Sequence, residues 1–470
     1  MKVCIIIEGS YPYVTGGVSG WLQQMMLKLK EIEFSILAIK ASRNESMEFK
    51  YKIPDNVTEI RNVYLLDDDY GKKKRISLSK RYYDAFQSLF FGEALDWNII
   101  FEFFRDKDIS INSFLGGKDF LEMAKTYYNH NFERVVFSEF LWTMRSMYLP
   151  LFMILKQKPV EADIYHSIST GYAGILGCMQ KSLLHKPLIL SEHGIYTRER
   201  EEEIIKAAWV NGVYKDLWIQ QFKKVSDCCY QNADVVTSLY EGARELQIEL
   251  GCPREKTRII PNGVNLNDFA NLAKKEEENS IHIGAVLRVT PIKDVKTMIS
   301  AFSIAKLKDA RLKLWIMGPL DESPQYAREC QNLVHDLKIM DVYFMDKVNV
   351  KDYIGKMDML VLSSLSEGQP LAMLEGFAAK KPFITTNVGN CPGLIYGEAD
   401  SYGDAGIVVP PMNVTKMAEA MLKIAKEEDT RKIMGEAGYK RVAAHHDNQD
   451  VFKQYIDLYL SMYKINERVG

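Results

Sequence analysis

The chain opens on an unbroken apolar run, Val3-Cys4-Ile5-Ile6-Ile7, whose lack of polar alternation predicts a parallel strand buried on both faces. A glycine-containing loop follows, and from Val18 to Leu29 the apolar residues Val18, Trp21, Leu22, Met25, Met26 and Leu29 recur at helical spacing. Strand, loop and helix together make the first unit of a doubly wound sheet. Short apolar runs at Val135-Val136-Phe137, Ile164-Tyr165-His166, Leu188-Ile189-Leu190 and Val235-Val236-Thr237 predict further strands separated by helical patterns. The stretch from Tyr70 to Asn131 is aromatic and basic with weak strand signals, which predicts a helical insertion. Asp67-Asp68-Asp69, just before it, reads as a solvated turn rather than a pair of metal ligands.

The pattern lapses from Asn271 to Ser280, where Lys274-Lys275-Glu276-Glu277-Glu278 reads as a linker. Alternation then restarts, with strands predicted at Ile281 to Leu287, Leu312 to Met317, Val342 to Met345, Met359 to Leu362, Phe383 to Thr386 and Gly406 to Val409. From Val451 to Tyr463 a wide apolar face predicts a last helix that packs back on the domains. The expected fold is α/β, with two Rossmann-like doubly wound parallel-sheet domains at residues 1–272 and 280–445 and the returning helix in 446–470. Ligands of such sheets bind outside the carboxyl ends of the strands, which places the expected site in a central cleft.

Composition narrows the function classes. With 470 residues, 47% hydrophobic and 26% charged, the chain suits two folded domains. Its 60 basic and 62 acidic residues leave a net charge of -2, so no global field holds a nucleic acid. The run Met147 to Leu155 contains Pro150 and is about half the ~20 residues of a spanning helix, and the N-terminal run meets Glu8 too early for an export signal. The seven cysteines are scattered with no C-x-x-C spacing, as expected of packing residues in a reduced cytoplasm.

Candidate chemistry clusters where strands end. Ser363 to Glu375 carries a strand end, a small polar loop and a helix start at Pro370, a good first helical residue because it needs no donor. The amides around Gly368, Gln369, Pro370 and Leu371 then face a phosphate or sugar at the positive end of the helix. Glu367 is placed to reach sugar hydroxyls and Glu375 to accept from both hydroxyls of a ribose. Arg288 and Lys293, just after another strand, can bracket a diphosphate and neutralise charge on a departing nucleotide. Gly16-Gly17 precedes the first helix and lets a substrate approach the backbone, while His193 in Ser191-Glu192-His193-Gly194 follows a strand and can donate to a sugar or acceptor. No carboxylate cluster has metal-binding spacing, and no cofactor is expected.

Through Gly16-Gly17, His193, Pro261-Asn262-Gly263-Val264, Arg288 with Lys293, Met317-Gly318-Pro319 and Glu367 to Glu375, nearly the whole chain resembles the retaining glycosyltransferases of family 4, which have the GT-B fold. Glu8-Gly9-Ser10-Tyr11-Pro12-Tyr13, Ser191-Glu192-His193-Gly194 and Pro291-Ile292-Lys293-Asp294-Val295-Lys296 look like the PelF group within it. The resemblance implies a metal-independent, retaining transfer of a hexosyl unit from a UDP-sugar, UDP-glucose first, to an exopolysaccharide such as Pel. It assigns ribose to Glu375, diphosphate to Arg288 and Lys293, the sugar to Glu367 with Gly368 to Leu371, the base to Val348, and the sugar near the acceptor to His193. It also implies a cytoplasmic protein held at the inner membrane through synthase partners. Gln369, Gly376-Phe377 and Asp294 depart from the wider family, and the first two imply an altered sugar pocket. The alternatives in other classes are a non-catalytic nucleotide-sugar-binding subunit of a membrane synthase and a GT-B sugar-nucleotide epimerase.

Overall fold

The computed structural model describes the chain apart from residues 46, 68–75, 93–94, 277–278, 399 and 470 and the side chains of 465–469. Two compact units emerge. The first comprises Met1–Ser238, Arg244–Ile259 and Tyr455–Gly470, and the second Leu239–Ala243 and Ile260–Gln454.

The sheet of the first unit uses β1 (Lys2–Glu8), β2 (Glu33–Ser42), β3 (Val57–Leu66), β4 (Ile164–Ser167), β5 (Leu188–Ser191), β6 (Val235–Ser238) and β7 (Thr257–Ile259), in the order β3-β2-β1-β4-β5-β6-β7. Every pairing is parallel. The interior of β1 is buried, as an apolar run without alternation requires. Three of its strands, β2, β3 and β7, escaped the sequence reading. In β3 most residues are only half-buried, consistent with its place at the sheet edge, and its apolar signal is correspondingly dilute.

Val135-Val136-Phe137 is a correction. Instead of a strand it leads into the helix Phe137–Leu155, with Val136 65% exposed at its start. Three apolar residues in a row do not distinguish a strand from the first turn of a long buried helix. That helix joins the insertion, whose described part forms the helices Lys80–Phe91, Trp97–Asp106, Ile111–Leu115 and Lys118–Asn131 around a core of Phe86, Phe90, Phe103 and Phe152. Residues 70–75 of the expected insertion lie outside the described residues, as do Asp68 and Asp69. The remaining aspartate of that run, Asp67, accepts two hydrogen bonds from Arg43 at 2.7 and 2.8 Å.

The second unit holds β8 (Ile281–Val286), β9 (Leu312–Met317), β10 (Val342–Asp346), β11 (Met359–Leu362), β12 (Phe383–Thr386) and β13 (Gly406–Val409), in the order β10-β9-β8-β11-β12-β13, again all parallel. All six strands were expected from the sequence. Glu277 and Glu278 of the expected linker lie outside the described residues, but its Lys275 is half-buried, donating to Asp358 at 2.7 and 2.8 Å and to the Ser280 carbonyl at 2.7 Å. The strand order reverses direction between β8 and β11, so the crevice favoured by ligands in such sheets opens outside the carboxyl ends of those two strands. In the first unit the reversal falls between β1 and β4. All seven cysteines are buried and free. Among the described residues no helix is long and apolar enough to cross a membrane.

Candidate functional site

The two loops that follow β8 and β11 are fastened together. Leu365 N–H donates to the Ile292 carbonyl at 2.8 Å, and Ser363 Oγ to the Lys293 carbonyl at 2.7 Å. Between them Lys293 Nζ lies 2.5 Å from Glu367 Oε1, which also accepts from Ser364 Oγ at 2.5 Å. Both charged side chains are mostly buried, 16% and 10% exposed, so this pair is far less screened than a surface pair. Residues 74 positions apart, expected respectively at the diphosphate and the sugar, thus meet at the topological switch point. Arg288, expected beside Lys293, is half-exposed and donates to Glu322 at 2.9 Å. Each expected phosphate-binding cation is therefore paired with a glutamate carboxylate. Glu322 carried no sequence signal, since it sits in a polar loop after β9.

The helix after this loop is Leu371–Ala378. Pro370 proves to be its N-cap, with φ -72° and ψ 122°, rather than its first helical residue. The first amides of any helix lack carbonyl partners within it, and here these begin at Leu371, since Pro370 has no N–H to offer. The loop is braced from behind. Asn390 N–H donates to the Gly368 carbonyl at 2.8 Å, and Gly389, at φ +51°, packs so closely that an added Cβ would lie 2.0 Å from the Glu367 carbonyl oxygen. Only glycine suits that position.

Gln369 is buried, and its side chain is turned into the brace. Its Oε1 accepts from Asn262 N–H at 2.7 Å, its Nε2 donates to the Leu239 carbonyl at 3.4 Å, and Asn262 Nδ2 donates to the Gln369 carbonyl at 3.0 Å. The departure from the family at this position thus ties the loop to Pro261-Asn262-Gly263. Gln369→Leu is expected to lower stability by roughly 1–3 kcal/mol, the cost of stranding the buried Asn262 amide; an unchanged urea midpoint would refute that role. Gly376-Phe377 is likewise a packing exchange: a Cβ on Gly376 would come within 2.4 Å of Leu360 and Phe383, and Phe377 meets Phe383 edge-on at 5.5 Å. Asp294 stands where glycine is usual because its backbone is left-handed, φ 44°, and its carboxylate caps the next helix at Thr297 N–H, 3.4 Å.

Glu375 is half-buried one turn into the helix, near the Lys351–Asp268 ion pair at 2.7 Å. Burial pushes its carboxyl up to about 7; Lys351 opposes that shift and Asp268 adds to it. Val348 lies half-buried against the core of the same unit, in the loop after β10.

In the first unit Gly16 is the N-cap of the helix Gly17–Lys28, and a Cβ there would meet nothing within 4 Å. His193 packs edge-on against Trp21, ring centres 4.6 Å apart. Its loop is held by groups the sequence did not reveal. Ser191 Oγ lies 2.7 Å from His166 Nε2 and 2.6 Å from Thr237 Oγ1, and His166 Nδ1 lies 2.6 Å from the Tyr459 hydroxyl of the final helix. Burial, helped by His193, pulls the His166 imidazole down to about 3, so it is neutral. Glu192 accepts from Thr170, Tyr230 and Gln247. At the end of β1, burial pushes the Glu8 carboxyl up to about 7 against the pull of Arg200 and the Tyr172 amide. Among the described residues no group of three His, Cys, Asp or Glu side chains could hold a metal ion.

A family model described as a domain of unknown function, DUF3492, matches residues 1–255, and a model described as glycosyl transferases group 1 matches residues 279–427. The chain is 27% identical over 242 residues to N-acetyl-alpha-D-glucosaminyl L-malate synthase of Bacillus anthracis, covering 49% of this chain and 60% of that protein. It is 22% identical over 342 residues to the capsular polysaccharide biosynthesis glycosyltransferase CapM of Staphylococcus aureus, covering 69% and 82%. The amylovoran biosynthesis glycosyltransferase AmsK of Erwinia amylovora is 22% identical over 60% of this chain and 65% of its own length. Among solved structures, sucrose-phosphate synthase of Thermosynechococcus elongatus superposes with a TM-score of 0.64 at 15% identity over 99% of both chains. HepE of Anabaena, solved with UDP and glucose, superposes with a TM-score of 0.62 at 12% identity over 98% of this chain and 100% of its own. The two parallel-sheet units have the GT-B fold, and the chain belongs to the DUF3492 family, with a glycosyl transferases group 1 match over residues 279–427.

Proposed function

We propose that this protein transfers a hexosyl unit from a UDP-sugar, UDP-glucose first, to a growing exopolysaccharide or related glycan, with retention at the anomeric carbon and without an essential metal. The observation that carries the reading is the buried Lys293–Glu367 pair, flanked by Arg288, at the switch point of the unit matched as a glycosyl transferase. The names of the capsular polysaccharide and amylovoran relatives and the UDP-glucose complex of HepE support the glycan and the donor.

In this reading the diphosphate takes Lys293 and Arg288 from their glutamate partners. Glu367, released from Lys293, accepts from the donor sugar's hydroxyls beside the amides of Gly368, Gln369 and Leu371, with Pro370 setting the helix start. Glu375 holds the ribose and Val348 borders the base. Gly16, Gly17 and His193, in the first unit, serve the sugar and acceptor, and the open space around Gly16 suits a backbone approached by substrate. The acceptor oxygen bonds to the anomeric carbon as the bond from that carbon to the phosphate oxygen breaks, and the acceptor proton passes to the departing phosphate. The two cations stabilise the charge that develops there. Inner-membrane synthase subunits are the partners that the PelF-like strings suggest, and they would hold a cytoplasmic enzyme at that membrane.

The test is incubation with a panel of UDP-, GDP- and ADP-sugars and glycan acceptors, with nucleotide release and product measured in the presence and absence of millimolar EDTA. UDP release with an elongated acceptor, unchanged by EDTA, is the expected result. Binding without transfer would indicate the non-catalytic subunit, interconversion of free donor the epimerase, and activity restored only by Mg or Mn a metal-dependent enzyme.

A further inference from the structure

A cavity of about 950 Å³ lies wholly within the first unit, outside every residue assigned above. That is at the upper end of the roughly 300–1,000 Å³ of small-molecule sites. One wall comes from the helical insertion: Phe91 ends its first described helix, Tyr127 lies near the end of the helix Lys118–Asn131, and Phe132 follows it. Phe91 and Tyr127 stack at 4.0 Å with their planes 11° apart, and all three rings are half-buried. The helix Lys215–Asn232 also lines the cavity, with Gln221 and Lys224.

Gln221 is the telling residue. It is only 5% exposed, yet neither its Nε2 nor its Oε1 has a hydrogen-bond partner among the described residues. A buried carboxamide with both ends unmet is costly, and native proteins retain one where something else supplies the partners. Lys224 beside it donates to the Leu89 carbonyl at 3.1 Å, and burial pulls its ammonium down to about 8.

We propose that this cavity binds a saccharide segment of the glycan the enzyme elongates, at a site separate from the donor loops. A pyranose ring presents an apolar C–H face, which the outer side of the Phe91–Tyr127 stack can cover, and hydroxyls that both donate and accept, which a single carboxamide satisfies from its two ends. A hydrocarbon tail would leave Gln221 unmet. A polyanion would face Asp216 and Asp227, which also line the cavity. The choice of ligand rests on the sugar-transfer reading, which supplies a glycan to hold. A site of this kind keeps a growing chain attached between additions without lending binding energy to the chemical step.

The experiment is calorimetric titration of the full chain, without donor, with cellotetraose, maltotetraose, chitotetraose and dodecanoate. Gln221→Leu and Lys224→Met are compared alongside, with melting temperatures recorded and UDP-glucose binding and UDP release measured in parallel. At least one tetrasaccharide is expected to bind, with Gln221→Leu weakening it tenfold or more while melting no lower than the parent and leaving donor hydrolysis unchanged. Failure of every tetrasaccharide to bind, equal binding by Gln221→Leu, or binding of dodecanoate in their place would overturn the proposal. If UDP-glucose is still turned over in that event, only the glycan site fails. If a tetrasaccharide binds through Gln221 while no UDP-sugar is bound, the site stands and the transferase reading falls.

Discussion

Lys293→Met is expected to lower kcat for sugar transfer roughly 10²–10³-fold, the scale on which removal of one preorganised charge-stabilising donor acts. The methionine keeps the length and bulk of the stem, so the loss is of charge rather than packing. The same change leaves Glu367 mostly buried, with Ser364 alone among the described residues still donating to it. Breaking a buried pair from one side costs about 3–5 kcal/mol in well-buried cases, and the 16% and 10% exposure here places the loss at the lower end. Activity and stability are separated by a second substitution. In Lys293→Met with Glu367→Gln, the stranded charge is gone and the Ser364 contact can persist, so most of the lost stability should return while kcat stays low. The readouts are steady-state UDP release and urea unfolding of the parent, both singles and the double. A Lys293→Met enzyme with kcat within threefold of the parent would remove the lysine from the diphosphate site.

How far the site could be read in the sequence follows from what each residue does. Glu367, Arg288 and Lys293 were legible because each stands just past an apolar run, and the carboxyl end of a parallel strand is where chemistry collects. Their partners were not. That Lys293 meets Glu367 depends on β8 lying next to β11, a neighbour relation across 74 residues that no local pattern encodes. Gln369 and Gly376-Phe377 suggested an altered sugar pocket, whereas both answer to neighbours behind the loop, Asn262 for one and Phe383 for the other. The chain Tyr459, His166, Ser191, Thr237 escaped notice for the same reason, since it joins four separate elements. All six strands of the second unit were legible because each is a compact apolar run between helical patterns. Of the strands missed in the first unit, β3 and β7 lie at the two edges of the sheet, while the expected strand at Val135 drew on a run that leads into a helix.

Glu375→Gln is expected to trade donor affinity for stability, with a pH dependence that identifies the carboxyl. Burial holds this group at about 7 against an unperturbed 4.5, so between those values the folded state binds a proton that the unfolded chain has lost. The sign follows: the raised value costs nothing below pH 4.5, the cost grows as pH rises toward 7, and above 7 it is fully present. Its size is on the order of 3 kcal/mol, from 1.36 kcal/mol per pH unit. Glutamine carries no such penalty, so the variant should be more stable than the parent at pH 8 and equal to it near pH 4.5. Affinity runs the other way. A ribose with two hydroxyl donors calls for the carboxylate, so the parent should bind UDP-glucose about tenfold more weakly at pH 6 than at pH 8, in proportion to the ionised fraction. The glutamine variant should lose roughly 1–3 kcal/mol of binding at pH 8 and show no such slope. The diphosphate of UDP-glucose does not titrate in this range, and any slope from other groups, His193 included, persists in the glutamine variant, so the difference in slope between parent and variant belongs to Glu375. Calorimetric titration with UDP-glucose at pH 6, 7 and 8, together with urea unfolding of both proteins at pH 4.5 and 8, measures all four quantities. Parent and variant binding with the same pH slope would remove Glu375 from the ribose.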